Sequence, residues 1–204
     1  MRKQTLFITS IVLLAIILYS FKTPLIDGAN KNLNTNLDEK IERKVDSVLA
    51  LMRLNEKIGQ LVQYSGKWNA TGPSASNADK HKLNKLKNGE VGSMLNITSV
   101  ASIRETQKMV MDHSRLKIPL IFGYDVIHGY KTIFPIPLGE SASWDLEIIK
   151  KTAAIAAKET AASGIQWTFA PMIDISRDAR WGRVMEGAGE DVYLNTVIGV
   201  ARVQ

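Results

Sequence analysis

Three apolar runs separated by helix-length segments constrain the fold most. Residues 118–124, IPLIFGY, form a continuous apolar stretch, the signature of a strand buried on both faces. Residues 91–97 and 165–175 are the other two runs. Between and after them the spacing predicts helices over 99–116, 144–163 and 192–203. Ser99 and Ser143 stand where N-caps belong, and Gly164 stands where the second helix ends. The order is β-α-β-α-β-α, which builds a parallel sheet. Three such units do not close. A (β/α)8 barrel takes about 250 residues, more than the 204 present. The chain therefore reads as an incomplete α/β barrel, the N-terminal part of a TIM-type domain, with a small open α/β sheet as the alternative. No G-x-G-x-x-G or Walker pattern follows a strand, which argues against a nucleotide-binding sheet.

Upstream, residues 1–22 carry Arg2 and Lys3 ahead of an apolar run from Leu6 to Leu18. This is the charge and length pattern of a secretory signal, with an uncleaved signal anchor as its rival. Either one implies export, to the periplasm or the extracellular space. Residues 23–36 are a polar, Asn-rich linker. Residues 37–204 form the domain. Within it, 37–63 reads as helix in two pieces. Ile41, Val45, Val48, Leu49 and Met52 make one packing face, and Ile58, Leu61 and Val62 make another. Residues 68–77 are a loop, 78–88 a short helix, and Gly89 suits a left-handed helix end.

Composition removes several chemistries. The chain has no cysteine, so disulfides, thiolate zinc sites and a thiol nucleophile are excluded. Three histidines without clustered partners give no expectation of a metal site, and no cofactor is expected. The net charge of +6 does not indicate nucleic acid. Half of that surplus is Arg2, Lys3 and Lys22. Most of the rest lies in the lysine-rich segment 80–87, which lacks interleaved aromatics and reads as a solvated helix face. The only membrane contact expected is through the leader.

In parallel α/β folds function gathers in the loops after strands. Two loops stand out. The first, 123–129 (GYDVIHG), places Asp125 directly after a strand, where its carboxylate can accept two hydroxyl hydrogen bonds or cap the following turn. His128 beside it reads better as a hydrogen-bonded structural residue than as a base. The second loop lies in 169–191, where Asp174, Arg177, Asp178, Arg180, Arg183, Glu186, Glu190 and Asp191 interleave with Trp181 and four small residues. Carboxylates, guanidinium forks and an aromatic face suit a hydroxyl-rich ligand. Spacing alone does not choose among Arg177, Arg180 and Arg183. Glu186, Glu190 and Asp191 can be catalytic carboxylates, salt-bridge partners of these arginines, or acids favouring the next helix. The structural role suits Glu190 and Asp191 better, because they immediately precede that helix.

Three motifs in one order, GYDVIHG, FPIPLG and APMIDISRDARWGRVMEGAGED, resemble the N-terminal domain of glycoside hydrolase family 3, as found in bacterial periplasmic β-glucosidases. The resemblance covers roughly residues 38–204. It implies a TIM-type barrel and retaining, exo-acting hydrolysis of terminal non-reducing β-D-glucosyl residues. The implied substrate is a β-linked gluco-oligosaccharide or an aryl glucoside. β-Xylosidase or β-N-acetylglucosaminidase specificity, or a non-catalytic sugar-binding fragment, are the alternatives. Asp125 and Arg183 match ligands of the terminal sugar, and Lys131 stands near where relatives carry a basic residue. Arg177, Asp178, Trp181, Glu190 and Asp191 would be supporting groups around Arg183. Ala179 departs from the family's usual proline, and Arg53 stands where a helix-capping Thr is common. The resemblance places the family's Lys-His pair, nucleophile and acid/base carboxylate beyond Gln204, so no catalytic residue is assigned here. An isolated partial barrel would leave sheet edges and apolar faces uncovered and is expected to aggregate.

Overall fold

A computed structural model describes residues 35–66 and 76–204. The leader, nearly all of the linker and most of the loop at 68–77 lie outside the described residues. The described chain falls into two units divided after Leu51. The first consists of helix α1 (Thr35–Leu51), which carries Ile41, Val45, Val48 and Leu49 at the expected helical spacing but exposed, so the first packing face is corrected; Met52, buried, lies just past the helix end.

The second unit begins with a short helix, α2 (Leu54–Gly59), and is built on a parallel sheet in the order β1-β2-β3-β4. Its strands are β1 (Gln63–Ser65), β2 (Ser93–Leu95), β3 (Ile121–Tyr124) and β4 (Trp167–Thr168). The register pairs Gln63 with Ser93, Met94 with Phe122, and Gly123 with Trp167. The sheet is α/β, parallel and not closed, as expected of part of a barrel.

Strand β1 corrects the expectation of helix up to residue 63. Gln-Tyr-Ser is too short and too polar to announce itself, and it forms because the neighbouring strand supplies the ladder. The second packing face is corrected as well, since Ile58 and Leu61 are exposed. The anticipated strand over 165–175 pairs only at Trp167 and Thr168. Pro171 has no N–H to continue a ladder.

Helix α3 (Ser76–Lys87) ends at Gly89, which takes φ +72°. Helix α4 (Val100–His113) starts as expected, with Ser99 Oγ accepting from the Ser102 N–H at 3.1 Å. It stops short of Leu116, because the backbone turns extended at Ser114. The long loop after β3 contains a helix the sequence did not announce, α5 (Pro137–Ser141), with Pro at its first turn. Helix α6 (Leu146–Ala162) starts two residues later than expected. Asp145, not Ser143, caps it, accepting from the Ile148 N–H at 3.0 Å. Ser143 Oγ instead donates to the Glu140 carbonyl, and Trp144 sits at φ +57°. Helix α7 (Val192–Val203) closes the series.

The core divides in two. Leu86, Val91, Met94, Ile103, Val110 and Phe122 are among the residues packing α3 and α4 against the sheet. Ile149, Ala188 and Ile198 join α6, α7 and the loop between β4 and α7. Ile103 and Val110 thus take the core places their spacing assigned. An ion pair between the buried Glu56 and the exposed Arg115, at 2.6 Å, ties α2 to the segment entering β3. The Arg53 N–H donates to the same carboxylate at 2.7 Å.

Candidate functional site

The two loops singled out by sequence leave the carboxyl ends of adjacent strands. Asp125 is the first residue beyond β3 and is exposed, while Val126 behind it is buried. The loop then folds back on itself. Gly129 bridges to Ile133, and the Phe134 N–H donates to the His128 carbonyl at 2.8 Å. Gly129 takes φ +116°, and a Cβ there would meet the Thr132 carbonyl oxygen at 2.0 Å, so only glycine fits this turn. His128 Nδ1 lies 3.0 Å from the Phe134 carbonyl, the hydrogen-bonded role expected of it.

Lys131 sits at the tip of this loop. Its ammonium lies 5.0 Å over the Tyr130 ring. The Lys131 and Thr132 N–H groups each donate to Glu159 Oε2 at 2.8 Å, and Thr132 Oγ1 donates to Oε1 at 2.6 Å. The Thr132 bonds, first of all its hydroxyl, hold the Glu159 carboxyl below the usual glutamate range. No hydrogen bond or ion pair joins Lys131 to Asp125 or Arg183 among the described residues. Glu159, on α6, was not singled out by sequence reasoning.

In the second loop the charges sort into local pairs. Asp178 takes a fork from Arg180, with Nη2 donating at 2.6 Å and Nε at 3.0 Å. That bonding lowers the Asp178 pKa. Arg183 donates through Nε and Nη2 to Glu186 Oε2 at 2.9 and 2.6 Å. The pair spans a 3-10 turn, Val184–Glu186, whose three-residue repeat stacks positions i and i+3. Asp191 caps α7, accepting from the Leu194 N–H at 2.6 Å. Asn195 is buried and pins the preceding loop, donating to the Gly189 carbonyl at 2.8 Å and to the Asp191 carbonyl at 3.1 Å. Arg177 and Glu190 are exposed, and Trp181 is half-buried.

The two loops meet electrostatically at Arg183. Its guanidinium is held charged more firmly than an ordinary arginine, chiefly by the Glu186 bond and in smaller measure by Asp125 and Asp174. Asp125 from the β3 loop and Asp174 from the β4 loop thus both add to the negative field at the same cation. The arrangement offers carboxylate acceptors beside guanidinium donors on an open surface, which suits vicinal hydroxyls. Two cavities lie elsewhere: one of about 390 Å³ between α6 and β4, and one of about 440 Å³ between α3 and α4. Neither is lined by Asp125 or Arg183. Among the described residues no group of three acids or histidines is placed to hold a metal.

Comparison with known proteins gives this geometry a setting. Residues 53–204 match the glycosyl hydrolase family 3 N-terminal domain. The chain is 43% identical over 160 residues to the periplasmic β-glucosidase of Salmonella typhimurium, covering 78% of this chain and 20% of that protein. It is 30% identical over 193 residues to the lysosomal β-glucosidase of Dictyostelium discoideum, covering 84% and 23%. Among solved structures, the β-glucosidase of Listeria innocua in complex with glucose superposes with a TM-score of 0.69 at 40% identity, over 79% of this chain and 23% of that one. The chain thus spans about a fifth of the length of these relatives. The parallel sheet and its helices are an unclosed part of a (β/α)8-type barrel, and the chain belongs to glycosyl hydrolase family 3, whose N-terminal domain it matches over residues 53–204.

Proposed function

We propose that the protein hydrolyses terminal non-reducing β-D-glucosyl residues from β-glucosides by a retaining mechanism, and that this chain supplies contacts to the terminal sugar. The observation that carries this reading is that Asp125 and the Arg183–Glu186 pair stand on the loops that follow two adjacent parallel strands, β3 and β4. Asp125 accepts hydrogen bonds from two hydroxyls of the sugar. Arg183 donates to another sugar oxygen, with its fork aimed by Glu186. Lys131, at the loop tip, is a third contact group within this reading, and Arg177, Asp178, Trp181, Glu190 and Asp191 support the Arg183 loop. Similarity to proteins named as β-glucosidases, one of them solved with glucose, supports the choice of sugar.

Retaining hydrolysis needs two carboxyl groups about 5–5.5 Å apart, one attacking the anomeric carbon and one delivering and removing the proton. In this proposal both belong to the part of the relatives' length that the chain does not match. The apolar, positively flanked residues 1–22 direct export, in keeping with the periplasmic β-glucosidase among the relatives.

Kinetics of Asp125→Asn and Arg183→Ala in the complete protein test the reading. A hydrogen bond to a charged group contributes about 1.5–3 kcal/mol, so kcat/KM on an aryl β-glucoside should fall about 10- to 150-fold in each variant. Near-normal values in both would remove the assignment. Aryl β-xylosides and β-N-acetylglucosaminides measured beside the glucoside test the sugar, with the glucoside expected to turn over fastest.

A further inference from the structure

The contact groups Asp125 and Arg183 stand on separate loops, so something must fix their offset. A buried ion pair joins the elements behind them. Glu140 on α5 and Arg202 on α7 meet through Oε2 and Nη1 at 2.5 Å, with side chains only 4% and 7% exposed. Arg202 Nη2 donates a second bond, 2.7 Å, to the carbonyl of Ile127, two residues past Asp125. Helix α5 also packs against the Val184–Glu186 turn that holds Arg183. Helix α7 in turn begins where the Arg183 loop ends, at Asp191.

The energetics argue that this pair is not there chiefly for stability. Desolvating two charges largely cancels their attraction, and replacing such a pair by apolar side chains is often neutral or stabilising. Here the pair is also imperfect, because Glu140 Oε1 is buried with no hydrogen-bond partner. A leucine and a methionine would fill the same space. They could not give direction to the Ile127 carbonyl. The distinctive product of the pair is geometry.

We propose that Glu140 and Arg202 are positioning residues that hold the β3 loop and the Arg183 turn at one fixed offset, so that Asp125 and Arg183 engage the same sugar together. The proposal rests on the reading of Asp125 and Arg183 as sugar contacts. It assigns neither Glu140 nor Arg202 a contact with substrate.

The decisive variant is Glu140→Leu with Arg202→Met in the complete protein, which removes the Ile127 bond while leaving no orphan charge. Thermal unfolding, amide hydrogen exchange over residues 125–130, and kcat and KM on an aryl β-glucoside are measured together. The expected result is an unchanged or raised Tm, faster exchange in the loop, and a kcat/KM lower by about tenfold, mostly through KM. Adding Asp125→Asn to this background should cost markedly less than it does alone, because the contact is already misplaced. Arg202→Lys is the second variant, in case the double one does not fold. It keeps the charge opposite Glu140 but gives up the planar fork that reaches Ile127, and the same rise in KM is expected. Unchanged exchange over 125–130 overturns the proposal whatever the kinetics. So does faster exchange, or a lowered Tm, with kinetic constants at their normal values. Normal kinetics for both Asp125→Asn and Arg183→Ala would instead strike the sugar-contact reading, and the exchange data would still report whether the pair holds the loop.

Discussion

Arg183 uses one edge of its guanidinium on Glu186, through Nε and Nη2. The fork carries five donors in a fixed plane, so the bond to Glu186 sets where the remaining donors point. Glu186→Gln keeps an acceptor of the same length but weakens a charge-assisted contact. Michaelis kinetics of that variant in the complete protein should show KM raised about 3- to 10-fold and kcat little changed, since hydrogen bonds to charged groups exceed neutral ones by about 1 kcal/mol. An unaltered KM would mean that Glu186 does not aim Arg183. Sequence reading brought Asp125 and Arg183 forward because both follow strand ends. It could not rank Arg183 above Arg177 and Arg180 by spacing, and only the family resemblance did so. The structure separates two of them by their pairing: Arg180 is taken by Asp178 two residues away, whereas Arg183 pairs with Glu186 across a 3-10 turn. An Arg-x-x-Glu spacing inside a tight turn was the available signal. The small contribution of Asp174 to the field at Arg183 was not readable, because it depends on the path of a loop with little regular structure.

At the scale of elements, the helices with caps and full periodicity were legible, and the short pieces were not. Ser99 and the 192–203 helix stood out because a capping side chain and several turns agree. Strand β1 has three residues and α5 has five, too few for any period to show. Asp145 prevailed over Ser143 as cap because Trp144 takes φ +57°, outside the right-handed helical region, so the helix starts only at Leu146. Glu159 shows how α6 reaches the loop after β3. Its carboxyl, lowered by Thr132 and Lys131, binds fewer protons in the folded than in the unfolded chain. Its stabilising contribution is therefore present above the ordinary glutamate range near pH 4.3 and is lost as pH falls through the lowered value. Thermal unfolding of the wild type and Glu159→Gln across pH 3 to 7 checks this. The wild type should be the more stable at neutral pH, with the gap closing toward the acid end. The other lowered carboxyls, Glu56, Glu90, Asp112 and Asp178, titrate in both proteins and cancel in the difference. Parallel curves would show that Glu159 is not bonded to the loop as described.

For the second unit as a whole, the sheet is the deciding feature. Purely parallel sheets occur with both faces covered, because their strands are apolar on both sides. Here α3 and α4 bury Phe122 on one face. Side chains alternate along a strand, so Ile121 shares the opposite face with Gly123, and Gly123 is in register with Trp167. Ile121 and Trp167 are 49% and 45% exposed, and Trp167 stacks on Phe169 with ring centroids 4.6 Å apart. That face, together with the unpaired edge of β4, is a template for association. The 204-residue chain prepared alone should therefore self-associate, which light scattering coupled to gel filtration would show as a mass that rises with concentration. Trp167→Lys places a charge at the edge strand on that face and should shift the distribution toward monomer with helical circular dichroism retained. Ile121→Lys, one strand inward on the same face, should act in the same direction. A chain that stays monomeric at roughly 100 μM, the concentration range in which exposed strand edges ordinarily associate, would mean that the face is covered within the chain itself. Association undiminished by both lysines would move the sticky surface elsewhere, to the exposed Ile58 and Leu61 of the segment leading into β1.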